Sequence, residues 1–321
     1  MVTLMKAIYK KIVNIINEYD SFILMGHKDP DLDVLGSCMG MCEIIESFKK
    51  DAYLFLDIQH LNEYNNNINH AFDMMERDIK CVDKTNYKKY LNNTLLIVLD
   101  THIEDRLEFS DIVDEIDTMV IDHHIKSKHY IKNTKFMYID STLSSVSEFV
   151  ALFANELGLD LDNVIASILL GGIEIDTNGY DFKTTKDTYL ASSILMEMGA
   201  DSILKQELLK ETKEDYIKRA SFIRNSFMLK EGIACCILPN CTTLELATVA
   251  EELLKFDSVE ASFALGKIDI DTVGISAKSL GNINVETIMK KFNGGGHISN
   301  AAAQVKGKTI KQIKNEIKNM L

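Results

Sequence analysis

Residues 22–33 read FILMGHKDPDLD. A run of four apolar residues is too short for a helix and long enough for a buried strand. Through Gly26 it leads directly into His27, Asp29, Asp31 and Asp33. The same order, apolar run then carboxylate and histidine, returns as LLIVLDTH at 95–102 and MVIDHH at 119–124. Further short runs at 52–56 and 136–139 alternate with helical patterns. That alternation predicts an α/β fold, a mostly parallel sheet flanked by helices. Ligands of open α/β sheets bind beyond the carboxyl ends of the strands, where each of these polar clusters would lie.

Outward from this core, 321 residues at about 150 per domain suggest two domains. Residues 1–185 carry the polar clusters. Residues 186–229, which include LKQELLKETKEDYIKRASFIRNSF, read as a helical connector with charges interspersed. Strand-like runs resume at 233–238, 261–265 and 273–277, with helices expected at 243–255 and 285–292, so 230–321 reads as a smaller α/β domain. At the N-terminus Ile8, Ile12, Ile15 and Ile16 recur at helical spacing, without the pattern of a signal peptide. The Asn-rich patch at 65–69 reads as a surface turn.

Composition narrows the function classes. With 35 Lys plus Arg against 48 Asp plus Glu, the formal charge is −13, a field that repels long nucleic acid. The longest apolar stretch, 164–173, is too short to span a membrane and fits a buried helix. Six cysteines form no C-x-x-C pair, and Cys38 and Cys42 fit one packed helix face, which points to a reduced, cytoplasmic setting.

Each polar cluster has an ordinary reading, because an Asp after a strand is usually a cap or turn former. The joint pattern is different. Five carboxylates and three histidines cannot share one cleft without repulsion unless cations neutralise them. Imidazole with carboxylate and no thiolate suits Mn²⁺ or a similar divalent ion, and this many ligands suits two ions.

These residues carry a family resemblance. H-x-x-P-D-x-D at 27–33, L-D-T at 99–101, D-H-H at 122–124 and D-T at 176–177 resemble, in order, the four motifs of the DHH phosphoesterases. GISAKSLG at 274–281 and GGGHISNAA at 294–302 resemble the DHH-associated C-terminal domain. PDLD, SSVSEFV and the long C-terminal segment are most similar to the catalytic part of membrane-attached cyclic-di-AMP phosphodiesterases of the GdpP type. The chain is then either a stand-alone relative or the catalytic part of a longer, membrane-attached protein, itself cytosolic.

The resemblance implies roles. His27, Asp31 and Asp100 would hold one Mn²⁺ and Asp33, Asp100, His123 and Asp176 the other, with Asp100 bridging and a water between the ions activated to hydroxide. His124 would contact the scissile phosphate or act as the acid toward the leaving oxygen, and Asp122 would fix a histidine tautomer. Asp29 and His102 match no motif position and read as bystanders; His60, His70 and His129 read as surface residues. In the C-terminal domain Gly294, Gly295, Gly296, His297 and Asn300 would hold the nucleotide, with Lys278 where the family has Arg, a point charge in place of a planar fork. The expected substrate is cyclic di-AMP, opened to pApA, bound between the two domains. A short-oligoribonuclease and 3′,5′-bisphosphate nucleotide phosphatase is the alternative, and a catalytically silent cyclic-dinucleotide sensor a third reading. The oligomeric state stays open, a homodimer included.

Overall fold

The computed structural model describes residues 2–57, 64, 66–75 and 78–321. They form two compact units, Met1–Lys210 and Glu211–Leu321. The first runs α1 (Val2–Glu18), β1 (Ser21–Met25), α2 (Leu32–Ser47), β2 (Asp51–Phe55), α3 (Asn66–Met74), β3 (Cys81–Val82), β4 (Thr94–Leu99), β5 (Thr118–Asp122), β6 (Phe136–Ile139), α4 (Val146–Leu157), α5 (Asn163–Asp176), α6 (Lys186–Glu197) and α7 (Ser202–Leu208). Its strands lie in the order β3-β2-β1-β4-β5-β6, all neighbours parallel. The chain winds outward from β1 and then returns to β4 on its other side. The strand order therefore reverses between β1 and β4, the place where open α/β sheets leave a crevice.

Parallel strands covered on both faces read as unbroken apolar runs, which is why β1, β4 and β5 stand out in the sequence. On one face Phe22, Leu24, Leu95 and Ile97 join the core made by α1, α2, α4 and α5, where Tyr9 stacks on Phe153 at 5.0 Å. On the other, Ile23, Met25, Leu96 and Val98 pack against Tyr87, Leu107, Ile112 and Ile131, which come from short 3₁₀ turns and loops. Helices α2 and α5 approach closely because glycines face the contact. A Cβ on Gly36 would sit 3.1 Å from the Leu169 backbone, and one on Gly172 2.9 Å from Asp33 Cα.

The second unit contains α8 (Lys213–Arg224), β7 (Phe227–Lys230), β8 (Ile233–Leu238), α9 (Thr243–Leu253), β9 (Ala261–Asp269), β10 (Thr272–Ser279), α10 (Val285–Lys290), β11 (Gly295–Gly296), β12 (Asn300–Lys306) and α11 (Ile310–Met320). Its sheet order is β11-β12-β10-β9-β8-β7; β8 and β9 are parallel and the other pairs antiparallel.

Several details differ from the sequence reading. Asn66 to Asn69 open α3 instead of forming a turn, with Ile68 and Ala71 buried beneath them. The run after the glycines is a strand, β12, whose Ala301, Ala303 and Val305 point inward while the residues between stay exposed. Residues 186–229 are shared between the units, α6 and α7 in the first and α8 in the second. As the sequence reading has it, Cys38 and Cys42 pack as free thiols within α2. Among the described residues no helix is long and apolar enough to cross a membrane.

Candidate metal centre

The carboxyl ends of β1, β4 and β5 lie side by side, and each delivers ligand-type side chains to the crevice. His27 follows β1, Asp100 follows β4, and Asp122 ends β5 with His123 and His124 immediately after it. Asp100, directly after β4, takes a left-handed φ of +61°. Asp31 caps α2, its Oδ1 accepting the N–H groups of Asp33 and Val34 at 2.9 and 3.0 Å. The capping reading and the site reading therefore both hold, through different oxygens: Oδ2 faces His27 Nε2 at 3.8 Å. Asp33 lies in the first turn of α2, fully buried, and its carboxylate accepts the N–H groups of Val146 and Ser147 at the start of α4. Asp176 comes from the last turn of a helix, α5, not from a strand end.

Three sets of ligand atoms converge, the atoms within each lying inside 4.8 Å of one another: His27, Asp31, Asp100; Asp33, Asp100, His123, Asp176; and Asp100, His123, His124. Asp100 belongs to all three. Its Oδ2 lies 3.3 Å from His27 Nε2 and its Oδ1 3.0 Å from His123 Nε2, which is also 3.0 Å from Asp176 Oδ2. His27, Asp31, Asp100, His124 and Asp176 line one open cleft together with Lys28, Asp29 and Arg106. Asp29 sits on its rim, outside the three sets.

The electrostatics ask for positive charge. Burial, with the charges of Asp100 and Asp176, lifts the Asp31 carboxyl to about 6. Burial, with Asp176 and Asp100, holds Asp33 well above the usual carboxylate range. Burial opposes a charged His27, but Asp100 and Asp31 outweigh it and raise the imidazole to about 9. His123 is raised in the same way by Asp100 and Asp176. Asp100, despite its burial, is pulled down by His123 and His27. Protons thus occupy a cluster that a cation would fill at lower cost. Asp100 Oδ1 is buried without a hydrogen bond, as is His123 Nδ1. Nδ1 of His27 donates to the Lys28 carbonyl at 2.8 Å, which directs Nε2 toward the carboxylates, where it offers a lone pair to an ion that displaces its proton. Adjacent ligands of an octahedral ion at about 2.1 Å stand about 3 Å apart, the spacing seen around Asp100 and His123. The residues present fit divalent ions.

Behind the cluster lies Asp122, expected to fix a histidine tautomer, together with a partner the sequence reading did not give it. Asp122 is fully buried, and its Oδ1 accepts from His124 at both the backbone N–H (2.9 Å) and Nδ1 (2.8 Å). Its Oδ2 is bonded to Nδ1 of His102, which is buried. No spacing rule signals that contact, because residues 102 and 122 meet only across adjacent strand ends. His129 is exposed and His70 half-buried on α3; His60 lies outside the described residues.

In the second unit the glycine segment is tightly built. A Cβ on Gly294 would meet the Ala302 carbonyl at 2.2 Å and one on Gly296 the Asn300 carbonyl at 2.4 Å, so two of the three glycines are required by the β11–β12 hairpin itself. Gly295 faces open space. The hairpin turns between His297, whose N–H donates to the Asn300 carbonyl at 2.6 Å, and Asn300. Asn300 pairs in register with Lys278 on β10, so these groups share one end of the sheet. Lys278 Nζ lies 3.6 Å from Glu251.

A parallel six-stranded sheet with a His/Asp cluster at its reversal point, followed by a smaller mixed sheet, defines the class. Residues 21–173 match the DHH family, N-terminal domain, and residues 230–321 the DHHA1 domain. The chain is a DHH-family protein with a C-terminal DHHA1 domain. It is 35% identical to the cyclic-di-AMP phosphodiesterase GdpP of Geobacillus thermodenitrificans over 96% of its own length, and 32% identical to GdpP of Bacillus subtilis over 98%. It spans about half the length of these relatives, 48% and 50% respectively. The bifunctional oligoribonuclease and PAP phosphatase NrnA of Bacillus subtilis is 27% identical and is covered over 90% of its length. An exopolyphosphatase-related protein from Bacteroides fragilis shares the fold, with a TM-score of 0.79 at 19% identity, over 98% of this chain and 97% of that one.

Proposed function

We propose that this chain is a divalent-metal-dependent phosphodiesterase that hydrolyses cyclic di-AMP to linear pApA. The observation that supports it most is the convergence of three ligand sets on Asp100 at the reversal point of the sheet. His27, Asp31 and Asp100 would hold one ion, and Asp33, Asp100, His123 and Asp176 the other; Mn²⁺ fits because each set includes imidazole. When bound, the ions supply charge neutralisation at the phosphate and acidify a water.

The chain's own residues do the rest. Asp122 holds His124 by Nδ1, which leaves Nε2 to move a proton. The bond broken in forming pApA is the one from phosphorus to a ribose 3′-oxygen; His124 in its cationic form gives this oxygen the Nε2 proton as it leaves and remains as the neutral ring with Nδ1–H held by Asp122. Asp33, anchored on the N-terminus of α4, keeps its position while charge is redistributed around it. His297, Asn300, the glycines 294–296 and Lys278 bind a nucleotide of the substrate.

A second reading is hydrolysis of pApA, of other oligonucleotides of two to five residues, or of 3′,5′-bisphosphate nucleotides. It is favoured by the match to NrnA over nearly that protein's full length. Incubating the protein with Mn²⁺ and, in parallel, cyclic di-AMP, pApA and a short RNA separates the two. The first reading expects the highest kcat/KM for cyclic di-AMP, with pApA accumulating; rapid conversion of pApA to mononucleotides would give the second. A chain inert toward all three would end both.

A further inference from the structure

His102 stands outside the three ligand sets, yet it is 1% exposed and makes hydrogen bonds at both ring nitrogens. Nε2 receives the backbone N–H of Ser127 at 2.8 Å. An N–H can only donate, so Nε2 is the acceptor and the ring proton is on Nδ1. Nδ1–H then donates to Asp122 Oδ2, whose other oxygen takes the Nδ1–H of His124. The result is a chain that converges on Asp122: Ser127 N–H donates to His102 and His102 to Asp122 from one side, and His124 donates to Asp122 from the other.

We propose that His102 is a positioning residue for the reaction, which locks Asp122 and through it holds His124 by Nδ1–H, so that Nε2, the atom that gives up the proton, is kept toward substrate. The inference rests on the reading of His124 as the group that serves the leaving oxygen. Two features make a neutral, buried donor suited to the task. It restrains the Asp122 carboxylate without neutralising it, so the full negative charge stays available to His124. It also ties the segment after the D-H-H motif, because the His102 carbonyl accepts the Ile131 N–H at 2.9 Å while the ring holds Ser127. Without this brace Asp122 would keep one partner and gain freedom to rotate. His124, 41% exposed at its side chain, would lose the firm hold of the carboxylate that binds both its backbone N–H and its Nδ1.

Replacing His102 tests this with two polar variants that divide its bonds. In His102→Asn the amide Nδ2 takes the place of Nδ1–H and can still donate to Asp122, while the bond from Ser127 is lost. His102→Gln reaches farther, where its carbonyl can receive the Ser127 N–H but no donor reaches Asp122. If His102 acts through Asp122, His102→Gln and His102→Leu should lower kcat on the Mn²⁺-loaded protein roughly 10- to 100-fold, the loss of one charge-assisted hydrogen bond, with KM little changed. His102→Asn should recover most of that loss. In metal-free protein, ¹⁵N spectra should show His124 as the Nδ1–H tautomer in wild type and His102→Asn, and as a tautomer mixture in His102→Gln. Equal kcat in the Asn and Gln variants, or an unchanged His124 tautomer in His102→Gln, overturns the proposal and leaves His102 as a packing residue. Should the wild type hydrolyse no phosphodiester, the functional reading fails by itself, and the tautomer measurement still decides the positioning role.

Discussion

Asp100 Oδ1 and His123 Nε2 lie 3.0 Å apart with no hydrogen bond between them. In the metal-free protein a proton on the raised His123 imidazole supplies the positive charge this contact needs, and a divalent ion would supply it more fully. Protein stripped with chelator should therefore be stabilised by Mn²⁺. With free ion at about 100 times Kd the gain is about 2.7 kcal/mol for each site. Mg²⁺, which prefers oxygen ligands, should give less at equal concentration. A melting temperature indifferent to Mn²⁺ would sink the two-ion assignment.

Asp100 belongs to all three ligand sets, whereas Asp31 belongs to one. Asp100→Ala should lose several orders of magnitude of turnover and most bound Mn²⁺ by elemental analysis. Asp31→Ala should keep measurable binding at the other set. If the two variants retain the same amount of metal, Asp100 is not the shared ligand.

The metal-free protein should lose stability as pH rises. The sign follows from the upward displacement of both groups. His27, at about 9 when folded, contributes stability that is complete below its unfolded value of 6.5 and is lost as pH climbs through 9. Asp31, at about 6, binds its proton more tightly folded than unfolded, so stability also falls between 3.8 and 6. Melting temperatures in excess chelator should decline from pH 6 to 9, and saturating Mn²⁺ should flatten the decline. A rise over that range without metal would contradict the assigned charges.

Gly172→Ala places a methyl 2.9 Å from Asp33 Cα and 3.0 Å from the Leu32 carbonyl. The nearest neighbour is Ser147 Oγ at 2.5 Å and the next two are backbone, so the helices must part, at a cost of about 1–3 kcal/mol. Asp33 and Asp176 lie on the two helices forced apart, so Mn²⁺ affinity should fall with stability. Isothermal titration and denaturation on the same variant would show whether the two losses go together; full affinity in a destabilised variant would show that they do not.

His297→Ala should weaken capture of a dinucleotide and spare a small ester. A lost hydrogen bond to a charged phosphate, about 1.5–3 kcal/mol, means a roughly 10- to 150-fold drop in kcat/KM for cyclic di-AMP. Bis(p-nitrophenyl) phosphate should be cleaved at nearly the wild-type rate, and Lys278→Arg should modestly improve dinucleotide capture. Equal losses on both substrates would move His297 into the reacting centre or the fold.

The parallel sheet was legible because its strands are buried on both faces and so stand out as unbroken runs, and the motif spacing singled out His27, Asp31, Asp33, Asp100, His123 and Asp176 together. What the sequence hid is tertiary. Asp33 meets the α4 N-terminus more than a hundred positions away. His102 resembles any exposed histidine until β4 and β5 are paired and Asp122 arrives beside it. β3 pairs through only two residues, too few for any periodicity to register. β12 is built on alanines, which carry little strand signal of their own.

Asp31 spends one oxygen on the helix and the other on the site. Losing the side chain therefore confounds two injuries, an unwound first turn and a missing ligand. Asn, which caps as well as Asp, would inflict only the second. An Asp31→Asn protein is accordingly the form best suited to trapping an uncleaved dinucleotide for crystallography, since the architecture that receives the ligand would be left standing while one negative charge that grips the ion is gone.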